Sequence, residues 1–320
     1  MKRVATLFAA CLVCAAALAQ PASYPARPVR IVVPFPPGGA TDIIGRILAQ
    51  KMSESWGQPV VVENRAGAAG SIGSEAVAKS APDGYTLVMA SASTHAVGPA
   101  VNPKLPYDNI ADFTPITLVA TFPNVLVAHP STAGSLQELL GLLKANPGKY
   151  SFGSSGLGSS THLTGELFKL ITATDTNHIP YKGTGPLLND LMAGHVSFAF
   201  DQVTSIMSMV RSGKLKALGV TSKERNPALP EVPAIAEVLP GFEAVAWVGI
   251  FGPARVAAEI PLKIQSETRR ILQLPEVAQR ISDLGATAIA NSPAEFGAFV
   301  RTDTQKWRDL VMRAKLRIEQ

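Results

Sequence analysis

Three short runs of small and polar residues follow strand-like segments, and they are the places where this chain could do chemistry. The first is Phe35-Pro36-Pro37-Gly38-Gly39-Ala40-Thr41-Asp42. It follows the β-branched run Val29–Val33 and precedes Ile43, Ile44, Ile47, Leu48 and Met52, which recur at helical spacing. Two glycines let main-chain N–H groups approach a ligand closely. The first N–H groups of a helix have no acceptor inside it, and its dipole favours an anion there. No Lys or Arg lies between Pro34 and Asp42, so an anion held here is held mainly by main chain. The plain alternative is an ordinary strand–helix turn with Thr41 or Asp42 as N-cap.

The second run, Ser154-Ser155-Gly156-Leu157-Gly158-Ser159-Ser160, repeats that pattern before a helix over 161–174, with Ser160 or Thr161 as N-cap. If the two runs face each other, two helix N-termini converge on one point. The third run is Ser91-Ala92-Ser93-Thr94-His95, a loop after the strand 85–90. Asp201 ends the apolar strand 196–200; it either caps the next helix or accepts from a ligand amino or hydroxyl group. The five histidines, His95, His129, His162, His178 and His195, show no metal-ligand spacing. Of these, His162 stands at a ligand-facing helix start. Gly156-Leu157-Gly158 opens like a dinucleotide fingerprint, but Thr161 replaces the third glycine. Gly-x-Ser-x-Gly and the P-loop pattern are absent. No carboxylate pair, and no nucleophile with base and orienter, can be assembled. No cofactor and no metal are expected.

The elements that must position these runs alternate strand and helix, which implies a mainly parallel sheet covered on both faces. Ligands then sit at the carboxyl ends of the strands. The segment 113–129 is a long extended stretch broken near Pro123, suited to a chain crossing between two lobes. Residues 244–251 read as the return crossing, and three helices over 257–273, 275–284 and 293–314 complete the chain. The expected organisation is an α/β fold with two lobes, residues 24–124 plus 246–320 and residues 125–245, with a cleft between them.

The first 19 residues read as a secretory signal: Met1-Lys2-Arg3, an apolar run and Ala17-Leu18-Ala19. Phe8-Ala9-Ala10-Cys11 makes a poor lipobox. Both cysteines, Cys11 and Cys14, fall in this leader, so disulfides and thiol chemistry are not expected beyond it. The net charge of +5 falls to +3 without Lys2 and Arg3, and no basic block suits a nucleic acid.

Several spaced stretches form a set: 24–42, Gln58-Pro59-Val60-Val61-Val62-Glu63-Asn64-Arg65, Ala81-Pro82-Asp83-Gly84-Tyr85-Thr86-Leu87 and Leu105-Pro106-Tyr107-Asp108. Pro180-Tyr181-Lys182-Gly183, 213–218 and Val220-Thr221-Ser222 belong with them. Together they resemble the Bug-type receptors, the periplasmic solute-binding proteins of tripartite tricarboxylate transporters. The resemblance covers nearly all of the chain after the leader. It implies a type II periplasmic-binding (Venus flytrap) fold that captures a di- or tricarboxylate, an acidic amino acid or an aromatic carboxylate. It implies delivery to a membrane permease, with the receptor a monomer in the periplasm and not an enzyme. Carried over, the site comprises Phe35, Gly38, Gly39, Thr41 and Asp42; Ser91, Ala92 and Thr94; Ser155, Gly156, Ser159, Ser160, Thr161 and His162; and Asp201. Gly45 departs from the family's usual alanine and loosens the first helix by roughly 1 kcal/mol. The other readings are an exported enzyme using the same cleft and a regulatory effector-binding domain; the leader and the lack of a helix-turn-helix argue against the latter.

Overall fold

β1 (Val29–Val33) pairs in parallel with β2 (Val60–Asn64) on one side and β3 (Thr86–Ser91) on the other. The structure, a computed structural model, describes residues 24–314 apart from Pro103, Gly158 and Lys182. The leader read at residues 1–19 lies outside the described residues. Between β1 and β2 runs α1 (Ala40–Trp56), which buries Ile44, Ile47, Leu48 and Met52 against β1 and β3. Each such side chain contributes roughly 1.5–3 kcal/mol. Gly57 closes the helix in the left-handed region, φ 63°, where glycine has no Cβ penalty. Gly45 is buried there as well; a Cβ would sit 3.3 Å from a Val33 methyl, so the helix packs closer than alanine allows without a shift.

α2 (Ser71–Ala78) connects β2 to β3. After β3 the expected loop is instead wound into a π-helical turn, Ser93–Val97, running on into α3 (Gly98–Val101). β4 (Phe113–Ala128) is one continuous strand through Pro123, and it changes partners there. Residues 113–123 pair antiparallel with β9 (Val245–Pro253), while 124–128 pair with β7 (Phe198–Gln202) and β8 (Lys216–Val220). Pro123 lacks an N–H, and the change of partner falls where the ladder must yield.

The second half of the sheet holds α4 (Leu136–Ala145), β5 (Ser151–Ser154), α5 (Ser160–Thr172), β6 (Asn177–Pro180), α6 (Thr184–Met192), β7, α7 (Val203–Arg211) and β8. The chain returns through β9, then α8 (Glu259–Leu272), α9 (Pro275–Asp283), the short β10 (Thr287–Ala288) and α10 (Pro293–Arg313). The resulting curled mixed sheet runs β2-β1-β3-β9-β4-β7-β5-β6, with β8 and β10 paired to β4. One apolar cluster is continuous through it, from Val32 and Val88 by way of Trp247, Phe251 and Phe296 to Phe152, Phe168 and Phe200.

Beyond their shared ladder, the two passages of chain are bridged by one hydroxyl. The Asn124 N–H donates to Thr221 Oγ1 at 2.8 Å, and that hydroxyl donates to the Ala244 carbonyl at 2.6 Å. Thr221 is fully buried.

Candidate functional site

Two neighbouring chambers lie between the halves of the sheet and share Phe35 and Ser93 as a common wall. The larger, about 360 Å³, is lined by Phe35–Pro37, Gly39–Thr41 and Ser91 on one side, by Ser160 and Gln202 on the other, and by Phe122 and Ala246–Val248 from the strand passages. The smaller, about 250 Å³, takes Ala68, Ala69, Ser71 and residues of the turn after β3, with Ser155, Gly156, Leu157 and Ser159 opposite. No described residue lining either chamber carries a formal charge.

The start of α1 differs from the expectation. Gly39, not Thr41 or Asp42, is the N-cap, and no side chain caps it. Asp42 lies one turn in and reaches back to accept the Gly38 N–H at 2.9 Å. Its carboxylate also accepts from Arg46 Nε at 3.0 Å and Asn64 Nδ2 at 2.8 Å, and Asn64 holds the Phe35 carbonyl at 3.1 Å. The loop is thereby pinned from behind while its front faces the chamber. No described residue accepts the N–H groups of Gly39, Ala40 and Thr41, so these point a partial positive charge at the chamber.

On the facing side α5 begins at Ser160, one residue earlier than expected. Ser159 is its N-cap and accepts the His162 N–H at 3.2 Å. Thr161 Oγ1 organises the loop: it accepts the Ser155 N–H at 3.0 Å and lies 2.9 Å from Ser155 Oγ and 3.0 Å from Ser159 Oγ. The starts of α1 and α5 thus open onto the same chamber from residues about 120 apart in sequence.

Of the fifteen candidate residues, Phe35, Gly39, Thr41, Ser91 and Ser160 line the larger chamber, and Ser155, Gly156 and Ser159 the smaller. Gly38, Asp42, Ala92, Thr94, Thr161, His162 and Asp201 line neither chamber. Ser91 Oγ is buried and has no hydrogen-bond partner among the described residues. Thr94 holds the turn beneath it, exchanging bonds of 3.1 Å with the Ser91 N–H and carbonyl. His95, against Thr94 Oγ1 at 2.9 Å, stacks with Tyr107 and Phe251 and meets Phe113 edge-on, and burial pushes its imidazole down to about 3.

His162 stacks on His178 with ring centres 4.0 Å apart. Burial first, then the Lys169 charge, lowers His162 to about 4. Burial and the charges of His162 and Lys169 lower His178 to about 3, and its Nε2 meets Ser154 Oγ at 2.7 Å. Asp201 is not at the end of its strand: β7 runs on to Gln202. Strand side chains alternate, so Gln202 reaches the chamber while Asp201 turns toward α6. There it accepts from Thr184 at 3.3 Å, and its other oxygen has no partner among the described residues. Burial outweighs its hydrogen bonds from Gln202 and Thr184 and raises its pKa.

Several wall residues were not expected: Ser93, Gln202, Phe122 and Trp247 in the larger chamber, and Ala68, Ala69, Val97, Val101 and Leu105 in the smaller. Ser93 and Leu157 lay within runs already singled out. Nothing local marks Trp247, whose indole N–H is held by Asp303 at 2.8 Å.

A polar cleft walled from both halves of a curled α/β sheet, with two strand passages at its back, defines a solute-binding receptor of the periplasmic binding-protein class. Within that class, the chain belongs to the family described as tripartite tricarboxylate transporter family receptor, whose model matches residues 44–316. It is 40% identical over 302 residues to the protein BugT of Bordetella pertussis, covering 92% of this chain and 93% of that one. Among solved structures, R. palustris Rpa4515 with adipate is 33% identical at a TM-score of 0.76, covering 91% of this chain and 98% of that one. MatC (Rpa3494) from Rhodopseudomonas palustris with bound malate is 33% identical at 0.72, covering 90% and 100%.

Proposed function

We propose that this protein captures a small carboxylate between two lobes, residues 24–124 with 246–320 and residues 125–245, and presents it to a membrane permease of the tripartite tricarboxylate type. The observation that carries this reading is the opening of the α1 and α5 N-termini onto one uncharged chamber. Each terminus is worth roughly 0.3–1 kcal/mol to an anion, and a charge-assisted hydrogen bond adds roughly 1.5–3 kcal/mol. A few such bonds suffice for micromolar binding, about 8 kcal/mol net. The adipate and malate held by two relatives support the ligand class.

The ligand is held by the amides of Gly39, Ala40 and Thr41 and the hydroxyl of Ser91 from one lobe. The Ser160 amide and loop 155–159 complete the grip from the other. Gly38, Asp42, Ala92, Thr94, Thr161, His162 and Asp201 position those donors. The lobes hinge at Pro123–Asn124 and Ala244–Val245, and the closed monomer is the form the permease recognises. Binding occurs without turnover; the described chamber walls offer no His, Cys, Asp, Glu or Lys as a catalytic group. The leader read at residues 1–19 fits a place in the periplasm, and no helix of the described residues is long and apolar enough to cross a membrane.

Calorimetric titration with acetate, succinate and malate, each beside its amide, tests the reading. Acids are expected to bind and amides to bind at least tenfold more weakly. Equal affinity for acid and amide would remove the anion mechanism, and turnover of a bound acid would revive an enzyme.

A further inference from the structure

His178 lines neither chamber, yet it reaches the turn that faces them. β5 and β6 run in parallel, with Phe152 beside His178. α5 crosses this face so closely that a Cβ at Gly165 would run into the Phe152 ring. Beneath it the half-buried His178 ring stacks on both Phe152 and His162, with centres 4.8 Å and 4.0 Å away and planes 25° and 14° apart. A ring packed against two others has little rotational freedom, so its nitrogen is aimed before any ligand arrives.

The target is Ser154, the fully buried last residue of β5. His178 Nε2 lies 2.7 Å from Ser154 Oγ. The same hydroxyl accepts the Gly156 N–H at 3.2 Å and lies 3.1 Å from the Gly156 carbonyl. That carbonyl accepts the Ser159 hydroxyl at 2.7 Å and the Ser159 N–H at 3.2 Å. Ser159 caps α5, whose first residue, Ser160, lines the larger chamber. A chain of hydrogen bonds therefore runs from His178 through Ser154, Gly156 and Ser159 to the start of α5. The turn has no other firm anchor of its own. Its one large side chain, Leu157, is 62% exposed, so hydrogen bonds rather than buried carbon hold it.

We infer that His178 is a positioning residue for ligand capture: through Ser154 it fixes Gly156 and Ser159, and with them the Ser160 amide that closes on the carboxylate. This rests on the carboxylate reading above. His178 itself touches no ligand. The stack orients the imidazole, and the ring nitrogen carries the effect.

The test compares His178→Gln with His178→Met. Both replacements remove the stacked ring and are equal in length, but only Gln keeps an amide that bonds to a hydroxyl. Calorimetry uses whichever of acetate, succinate and malate the wild type binds most tightly. His178→Met should bind about three- to tenfold more weakly than His178→Gln, the worth of one hydrogen bond. Adding Ser154→Ala to each should abolish that difference, because the two residues act through one contact. Equal binding by the Gln and Met variants overturns the proposal, since the ring then matters only as bulk. Ser154→Ala alone should weaken binding by about as much, and it decides the matter if the His178 variants fail to fold; unchanged affinity there also overturns the proposal. Hydrogen exchange of the ligand-free protein separates this from the ligand class. The Gly156 and Ser159 amides should exchange about tenfold faster in His178→Met than in His178→Gln. If the wild type binds none of the three acids, the carboxylate reading falls and the exchange rates alone decide whether His178 holds the turn, equal rates overturning it.

Discussion

The Asp42 carboxylate accepts the Gly38 N–H at 2.9 Å, so the helix end that faces the chamber carries a negative charge of its own. A free carboxylate beside an anion site would repel the guest. Arg46 Nε, 3.0 Å away, offsets it, and Asn64 ties it to the Phe35 carbonyl. Gly38 is therefore part of the scaffold, and the amides of Gly39, Ala40 and Thr41 that follow it have no acceptor among the described residues.

Asp42 thus governs stability toward acid. Burial alone would raise its pKa, but the bonds from Arg46, Gly38 and Asn64 prevail and hold it below 3.8. A depressed carboxyl stabilises the fold above its unfolded value and loses that contribution as pH falls through the lower folded value. Asp42→Asn should cost about 1–3 kcal/mol at pH 7. Urea unfolding should show the gap to wild type narrowing at pH 3; a constant gap would mean that the charge does not matter.

Ser91 offers a cleaner test of binding. Its hydroxyl has no partner to lose among the described residues. Ser91→Ala should leave the melting temperature within about 1 °C, since the change removes one buried oxygen and breaks no hydrogen bond among the described residues. Carboxylate affinity should fall about five- to tenfold, the worth of one hydrogen bond of roughly 1–1.5 kcal/mol. A melting point several degrees lower, with unchanged affinity, would place the hydroxyl in the scaffold.

His95 sets a second acid limit. Its imidazole is neutral in the fold, with a pKa of about 3 against 6.5 when unfolded. Between those values the unfolded chain binds the extra proton, so stability falls as pH drops below 6.5, by about 1.4 kcal/mol per unit for a fully titrating group. His95→Phe keeps an aromatic ring among Phe113 and Phe251 and removes the proton. The stability-against-pH slope between 6 and 4.5 should fall by about one proton. His162 and His178 supply the remaining slope, and an unaltered slope would locate the whole effect there.

Thr221 joins the two strand passages through Asn124 and Ala244. Thr221→Val keeps the shape but strands a buried N–H and a buried carbonyl. Each unsatisfied group costs about 1–3 kcal/mol. Denaturant unfolding should show a loss of about 2–5 kcal/mol, with weaker ligand binding beyond what unfolding explains if the proposed hinge loses its registration. A loss below 1 kcal/mol would show that water fills the gap.

Sequence alone was sufficient for anything carried by short range. The β-branched run 29–33, the helical spacing after Asp42 and the Gly57 stop are local patterns, and they reappear as β1, α1 and its left-handed cap. The small-residue runs at 35–42 and 154–160 are legible for the same reason. Helix starts are off by one or two residues because the cap is chosen by hydrogen bonds that composition does not contain. Asp42 looks like a cap until Asn64 and Arg46, 22 and 4 residues away, draw its carboxylate inward. Asp201 looks like a strand end until β7 gains one more rung against β4, which turns its side chain to the face opposite Gln202.

What only the tertiary structure decided is which of these pieces meet. Nothing in the residues around Trp247 and Phe122 says that they wall a chamber, yet they do, because β4 and β9 bring distant segments side by side in the sheet. A residue's type and its near neighbours determine the bonds its own backbone can make. Its distance from a residue 120 positions away depends on strand order and on how apolar faces are buried together, and that is a property of the whole chain.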